Sequence, residues 1–526
     1  MDVAYEKRTD NLLVSNIDTG AYDYDGGDVT ALQCDVVVVG AGGSGCCAAV
    51  RAAEQGANVI VLEKAAHPGG NTWMAVGCAL ALDLPDYSPS QSVGPGELTM
   101  GHAEDFSYQA IKDAAFRRCM EIEKWRRDPK VIHACIDTSD QVYHWFLEKG
   151  MKFDSVTPRG IGLARRQPHH NSHGHNDPSN GPGFVGSYVV ETMMEEMKRL
   201  GVRLLTRTRA VELIQNPDKS IGGVVAKSAG KTVMISSKAV IISSGGFSAN
   251  KELMQKYFSS HFPAAGSNYC RMGSGYMTGD GILMAEKIGA AAFRNMTLGI
   301  GGTSHHPWSY PVLQSIGPNN VYINLNGERF IPENFMQTQN AMAMQPGQIC
   351  YAVCDAAIQK ENIAAARARK AGEDSDEHDA MERIETELRS EAAEGTGKVL
   401  YANTLEELAA KMGVPIHTFL ETIHTYNRYC DEGEDQYLYK DPRFLRRIEE
   451  APYCAVKLQR FQIVTSGGLD TDEKMRVLDQ HYRPIPGLYV TGDCSEGSGA
   501  LSGLGWAFTS GYLAGNYAAV YGKEGV

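Results

Sequence analysis

Residues Cys34-Asp35-Val36-Val37-Val38-Val39-Gly40-Ala41-Gly42-Gly43-Ser44-Gly45, with Asn58-Val59-Ile60-Val61-Leu62-Glu63-Lys64 soon after, decide the fold. The two apolar runs read as buried parallel strands, and the small residues between them as a helix. Gly40, Gly42 and Gly45 form a Gly-x-Gly-x-x-Gly turn. In such a turn the first glycine permits the sharp bend and the second lets backbone approach a pyrophosphate. The third lets helix and strand pack closely. The helix start then offers N–H groups and a positive dipole end to phosphate. Glu63 stands 18 residues after Gly45, where an acid accepts hydrogen bonds from an adenosine ribose. Strand, helix and acid in register predict a dinucleotide site.

Two further stretches select the dinucleotide. Pro68-Gly69-Gly70-Asn71-Thr72 follows the acid within ten residues, and its glycine pair lets a loop lie against a large flat cofactor. Ile485-Pro486-Gly487-Leu488-Tyr489-Val490-Thr491-Gly492-Asp493 delivers an acid beside a glycine at the end of a short strand. That acid suits a ribityl chain. The two signals lie over 400 residues apart, so the cofactor is gripped from both ends of the chain. This arrangement favours FAD over a nicotinamide cofactor.

The 526 residues are 43% hydrophobic and 21% charged, enough for a sizeable core and two domains. A net charge of −13 argues against nucleic acid and anionic membrane surfaces as partners. No apolar run approaches 18 residues and the N-terminus lacks an apolar h-region, so neither a membrane span nor a signal peptide is expected. Twelve cysteines show no Cys-x-x-Cys pairing and read as buried, reduced thiols of a cytoplasmic protein. His169, His170, His173 and His175 crowd seven residues, but no carboxylate or thiolate joins them at regular helical spacing. That segment reads as a polar loop or a substrate or flavin contact, and no metal site is predicted.

Residues 1–30 form a polar extension. A helix is expected at 187–200, strands at 202–206, 233–235 and 239–242, helices within 362–393, and two helices over 404–427 broken at Gly413-Val414-Pro415. A strand at 485–490 returns the C-terminus to the first domain.

These motifs together resemble the fumarate reductase and 3-ketosteroid dehydrogenase superfamily of FAD flavoproteins. The resemblance is carried by Val38 to Gly45, Gly69-Gly70-Asn71-Thr72, Ser244-Gly245-Gly246-Phe247 and Thr278-Gly279-Asp280-Gly281. Asn326-Gly327-Glu328-Arg329-Phe330, Thr465-Ser466-Gly467-Gly468 and Gly503 to Gly511 add to it. It implies an α/β fold: a Rossmann-like FAD-binding domain at 31–303 and 465–526, interrupted by an α+β capping domain at 304–464. It implies cofactor contacts at Gly40, Gly42, Gly43, Ser44, Gly45, Glu63, Lys64, Gly70, Asn71, Thr72 and Val211. The same holds for Ser244, Gly245, Asp280, Gly468, Gly492, Asp493, Ser502, Gly503 and Leu504. The helix opened by Ser502 would face the flavin N1 and C2 carbonyl and stabilise its anionic reduced form. No histidine occupies Asn71–Cys78, so the FAD is expected to be non-covalent.

The substrate residues depart from the family. His306-Pro307 resembles the first cap histidine of the fumarate reductases, but their proton-donating arginine falls on Gln337. The histidine before Thr-x-Gly-Gly becomes Val464, and the arginine of the C-terminal loop has no counterpart in Gly497 to Ser502. A dianion would lose most of its charge partners and burying it unpaired is costly, which argues against fumarate as the substrate. The tyrosine and glycine segment of the 3-ketosteroid dehydrogenases is also missing. What remains is an uncharged or singly charged acceptor with an activated C=C bond, of enone or aryl-acrylate type, which apolar Val464, Leu501 and Trp506 would suit. Catalytic candidates are His306 as carbonyl partner, Tyr310 as proton donor and Gln337 for orientation, with Arg329 expected mainly to hold the cap together. Electrons would come from a separate protein, because Asp18-Thr19-Gly20-Ala21-Tyr22 matches an FMN-attachment sequence only faintly. A dehydrogenase running in the opposite direction, or a flavin-binding electron-transfer subunit, stays open.

Overall fold

The computed structural model describes residues 29–75, 78–80, 108–122, 125–151, 155–158, 162–165, 185–258, 269–271, 273–294, 297–298, 301–304, 310–333, 341–342, 344–368, 381–495 and 502–524. The chain divides into two compact units. One holds Met1–Lys251, Gly273–Ile300 and Val464–Val526; the other holds Glu252–Met272 and Gly301–Ile463.

The first unit is built on a six-stranded sheet. In chain order its strands are β1 (Val36–Val39), β2 (Val59–Leu62), β3 (Arg203–Leu205), β4 (Ala239–Ile242), β5 (Arg476–Leu478) and β6 (Pro484–Val490). In space they run β5-β6-β4-β1-β2-β3. All neighbours are parallel except β5, which returns antiparallel on β6. β1, β2 and β4 are buried along their whole length, as continuous Val/Ile runs covered on both faces must be. The C-terminal end of the chain therefore completes the sheet that its first strand begins. A second sheet pairs Val29–Gln33, Lys231–Ser236, Ile221–Ser228 and Thr208–Gln215.

Helix α1 (Gly43–Glu54) follows β1, α2 (Pro129–Glu148) starts on an Asp128 cap, and α3 (Ser502–Glu524) closes the chain. α3 packs so closely on α1 that a Cβ on Gly515 would lie 2.4 Å from the Ala48 carbonyl oxygen. One on Gly511 would lie 2.4 Å from that of Ser44. Small residues at the contact, Ser44, Cys47 and Ala48 on α1 and Gly511 and Gly515 on α3, let the backbones approach, and Arg51 fixes the far end by donating to Asn516 (3.0 Å).

The second unit centres on the ten-residue strand Tyr453–Gln462. Ile349–Cys354, Gly301–Ser304 and Val399–Ala402 pair antiparallel with it, and Tyr269–Arg271 pairs parallel. The last pairing draws 252–272 into this unit, an excursion that nothing in the sequence signals. Cys350 and Cys354 both lie within the strand Ile349–Cys354 and are buried. Of the helices, Leu405–Met412 is capped by Thr404 and stopped by Gly413 at φ 71°, before Ile416–Glu432 begins. This is the break expected at Gly413-Val414-Pro415.

A charge cluster is sunk in this unit. Arg329 donates to both Glu333 oxygens (3.0 Å each) and to Asp435 (2.8 Å), with its guanidinium 4.7 Å from the Tyr426 ring centre. Lys440, buried, donates to the Asn320 carbonyl (2.8 Å) and pairs with Glu333 (3.1 Å). Two cations and two carboxylates balance, as a buried site requires. Burial alone would lower the Arg329 pKa, but Glu333 and Asp435 outweigh it and hold the guanidinium charged.

Candidate functional site

The carboxyl ends of β1, β2, β4 and β6 lie side by side, and the loops leaving them carry most of the expected cofactor residues. That edge is where open parallel sheets bind ligands. After β1, Gly40 adopts φ +105°, a conformation that favours glycine, and any Cβ there would lie 2.6 Å from the Ser243 carbonyl oxygen. A Cβ on Gly45 would lie 1.9 Å from the Gly40 oxygen. Gly42 differs: a Cβ there would meet only the Gly69 oxygen, at 3.9 Å. Packing within the chain does not demand glycine at 42, so the space beside it is free for a ligand to approach. Gly42 is also the N-cap of α1 and has no side chain of its own to cap it.

The loop after β2 seals this turn. The Gly69 N–H donates to the Ala41 oxygen (2.8 Å), Thr72 Oγ1 accepts from the Gly43 N–H (3.0 Å), and Asn71 Oδ1 accepts from the Ser274 N–H (2.6 Å). Gly70 sits at φ +51° under Met277. Ser44, buried, lies against Gly492. The expected residues of the two loops thus converge, although 492 and 44 are far apart in sequence.

Three carboxylates stand along the edge. Glu63 accepts from the Ala41 N–H (2.9 Å) and the Ala65 N–H (2.7 Å), one on each oxygen. Lone pairs remain on both for a ribose. Asp280 is saturated. Its Oδ1 accepts from Arg209 Nη2 (3.0 Å) and Thr278 Oγ1 (2.9 Å), and its Oδ2 from Lys64 Nζ (2.9 Å) and Arg209 Nε (3.1 Å). Burial would raise this acid, but Lys64 and Arg209 together hold it below its ordinary value. Burial lowers the Lys64 pKa and Asp280 opposes that shift. The expectation that the Asp280 side chain contacts cofactor is corrected here: with four donors on a carboxylate it has no site left. It braces Lys64 and Arg209 instead. Asp493 is the reverse case. It is partly exposed, it has no hydrogen-bond partner among the described residues, and burial pushes its carboxyl up to about 7.

The remaining expected residues fall around the same edge. The Ser244 hydroxyl accepts from the Gly281 N–H (3.2 Å), and Gly245 accepts from the Cys494 thiol (3.0 Å). Gly468 packs against the Cys494 oxygen, where a Cβ would come within 2.1 Å. Val211 is the residue skipped between Ala210 and Glu212 in the ladder with Ile221–Ser228, a bulge that takes it out of the pairing register. Ser502 opens α3, and Gly503 and Leu504 follow in its first turn.

The catalytic candidates fare differently. His306 and Gln337 lie outside the described residues, as do the histidines 169–175 and Leu501. Tyr310 opens the short helix Tyr310–Gln314, and its side chain is not among those described. Arg329 is bound into the buried cluster of the second unit, which removes it from the catalytic candidates in favour of a framework role. Trp506 is fully buried, and its Nε1 donates to the Gly492 oxygen (3.3 Å) and Ser495 Oγ (3.1 Å). It is a framework residue and not the apolar substrate wall expected. Sequence reading passed over Arg209 and Ser510; the one available signal was a buried tryptophan, whose N–H needs an acceptor. Among the described residues no cluster of metal-ligating side chains occurs, and no helix is long and apolar enough to cross a membrane.

A parallel sheet with a glycine turn, an open approach at Gly42 and an unpartnered acid at Asp493 define an FAD flavoprotein, and the residues present fit that cofactor. A profile of the FAD binding domain family matches residues 35–505. The chain belongs to that family and is an FAD-dependent oxidoreductase of the fumarate reductase and 3-ketosteroid dehydrogenase superfamily. It is 29% identical to the vinyl phenol reductase of Lactiplantibacillus plantarum over 93% of this chain and 96% of that one. It is 27% identical to the NADH:acrylate oxidoreductase of Vibrio harveyi over 95% of this chain, yet spans about half (53%) of that protein. Its fold matches the open conformation of a flavocytochrome c3 fumarate reductase with a TM-score of 0.67 at 23% identity, covering 98% of this chain and 81% of that one.

Proposed function

We propose that this flavoprotein reduces a C=C bond conjugated to an aromatic ring or carbonyl, on an uncharged or singly charged molecule, and does not reduce fumarate. Bound FAD supplies the hydride. The chain must supply the proton and donors aimed at the oxygen or ring that gains charge. His306 and Tyr310 are proposed for those roles, with Gln337 orienting the substrate and unable to act as the acid. A separate redox protein is proposed to supply the electrons.

The observation that carries the reading is the similarity to a vinyl phenol reductase over 93% of this chain and 96% of that one, supported by the replacement of most residues that the resemblance would assign to a dianion's charges. Val464 is apolar and buried where the resemblance places a carboxylate-binding histidine. Arg329, the cation nearest in sequence to Gln337 among the motif residues, is tied to Glu333 and Asp435.

The test is anaerobic reoxidation of the reduced protein, followed by flavin absorbance, with 4-vinylphenol, an aryl-acrylate, a cyclic enone and fumarate. Rapid reoxidation by a conjugated aryl alkene or enone with fumarate inert is expected. Reoxidation by fumarate at a comparable rate, or by none of the four, would overturn the reading.

A further inference from the structure

The Thr491–Ser495 turn follows β6 and carries Asp493, whose carboxylate has no partner among the described residues. The Thr491 N–H donates to the Ile242 oxygen (2.9 Å) and the Cys494 oxygen accepts from the Leu469 N–H (2.8 Å), while the Gly492 peptide between them is held by side chains of α3. Ser510 Oγ donates to the Trp506 carbonyl one turn earlier (2.6 Å) and accepts from the Gly492 N–H (3.0 Å). With its proton committed there, its contact with Thr491 Oγ1 (2.7 Å) is one in which Thr491 donates. One donor and two acceptor sites are then filled, the full capacity of a hydroxyl. On the other side of the same glycine, Trp506 Nε1 and Ser495 Oγ (2.7 Å) both donate to the Gly492 oxygen. Thr491, Ser495, Trp506 and Ser510 are all fully buried. Gly492 itself, at φ +68°, presses on α1, where a Cβ would lie 2.6 Å from Ser44 Oγ.

The side chains of Thr491, Ser495, Trp506 and Ser510 all have partners inside the chain, whereas the Asp493 carboxylate has none among the described residues. Four buried side chains are spent on fixing a glycine whose next residue is an acid with nothing to bind. Buried polar networks of this kind are retained where a unique geometry matters. We propose that Ser510 and Trp506 are positioning residues for FAD: they set the Gly492 peptide, and through it the direction in which Asp493 meets the cofactor. Neither touches the cofactor. The inference needs the cofactor but not the substrate class, so it stands apart from the alkene reductase reading.

The experiment is a double-mutant cycle on full-length apoprotein, reading the FAD dissociation constant by fluorescence and apoprotein unfolding by calorimetry. In the parent protein Ser510→Ala and Trp506→Phe are each expected to weaken FAD about tenfold, the scale of one well-placed hydrogen bond to a charged group. In an Asp493→Asn background the same changes are expected to alter FAD affinity by less than about twofold, because the group they aim is already disabled. Equal losses in both backgrounds would overturn the proposal, since a packing role does not depend on Asp493. So would a drop in unfolding temperature with unchanged affinity. If Ser510→Ala does not fold, Trp506→Phe carries the cycle alone, removing only the shared N–H and keeping most of the ring volume.

Discussion

Asp280 and Asp493 are both acids beside a glycine at the carboxyl edge of one sheet, and they have opposite surroundings. Asp280 receives four donors from Lys64, Arg209 and Thr278 and is held as a carboxylate below its ordinary pKa. Asp493 receives none among the described residues and is pushed up to about 7 by burial. The first is finished by the fold; the second is finished by what binds. A site residue is recognised here by an unfilled hydrogen-bond capacity rather than by its motif, since both acids sit in motifs of equal clarity. Glu63 lies between the two, half filled by the Ala41 and Ala65 N–H groups.

The largest effect is expected where the cleft and the fold share an atom. Gly45→Ala puts a methyl 1.9 Å from the Gly40 oxygen, and neither the strand end nor α1 can move without disturbing the α1–α3 packing. A loss of about 3 kcal/mol or more is expected, with protein recovered free of flavin. Calorimetry and the absorbance ratio at 450 and 280 nm check it, and a flavin-replete variant of parental stability would contradict the close approach.

Asp280→Asn comes next. It leaves Lys64 and Arg209 facing an amide, and the apoprotein is expected to lose about 2–3 kcal/mol at pH 7. Because the folded pKa is depressed, the Asp280 contribution is fully present above the ordinary aspartate value and is lost as pH falls through the lower folded value. Urea unfolding at pH 7 and pH 3 should therefore show a deficit at pH 7 that narrows in acid. A deficit independent of pH would mean that packing, not charge, is what Asp280 supplies.

Much of this edge was legible in the sequence because its signals are local. A four-valine strand, three glycines at fixed spacing and an acid 18 residues on depend on neighbours in the chain, and β1, α1 and β2 follow them. What joins distant segments was not legible. Lys64 and Asp280 were both read as cofactor contacts, since nothing local says that residues 216 apart bind each other. Trp506 read as an apolar wall because its ring dominates its side chain, whereas its single N–H decides where it points. Arg329 sits in a motif that names its neighbourhood but not its partners, and Asp435, 106 residues on, is one of them. The pairing of Tyr269–Arg271 with Arg460–Gln462 depends on register across nearly two hundred residues.

Asp493→Asn should reverse the sign seen at Asp280. The folded apoprotein holds the Asp493 carboxyl near pH 7 against an unfolded value of about 3.9. Stability from this group is thus present in full below the unfolded value and is lost as pH rises through the folded one. At pH 8 the parent apoprotein carries an unpartnered charge that asparagine removes. The variant apoprotein is expected to melt about 2–4 °C higher at pH 8, with the difference narrowing through pH 5 and closing only near pH 3, below the unfolded value. FAD binding should weaken in the same variant. A melting temperature below that of the parent at pH 8 would show that Asp493 already has a partner in the apoprotein.

The smallest effect on the apoprotein is expected at Gly42→Ala, and it sharpens the contrast with Gly45 three residues away. A methyl at 42 meets only the Gly69 oxygen at 3.9 Å, an ordinary contact, and the residue's φ of −75° suits alanine. The apoprotein should therefore melt within about 1 °C of the parent, as for substitutions that create no clash. The methyl instead occupies the volume through which a pyrophosphate reaches the start of α1, where backbone N–H groups and the helix dipole favour negative charge. FAD should bind at least tenfold more weakly, and free phosphate should relieve none of that loss. Unchanged FAD affinity would move the pyrophosphate away from Gly42 and leave the open space at that residue without a ligand.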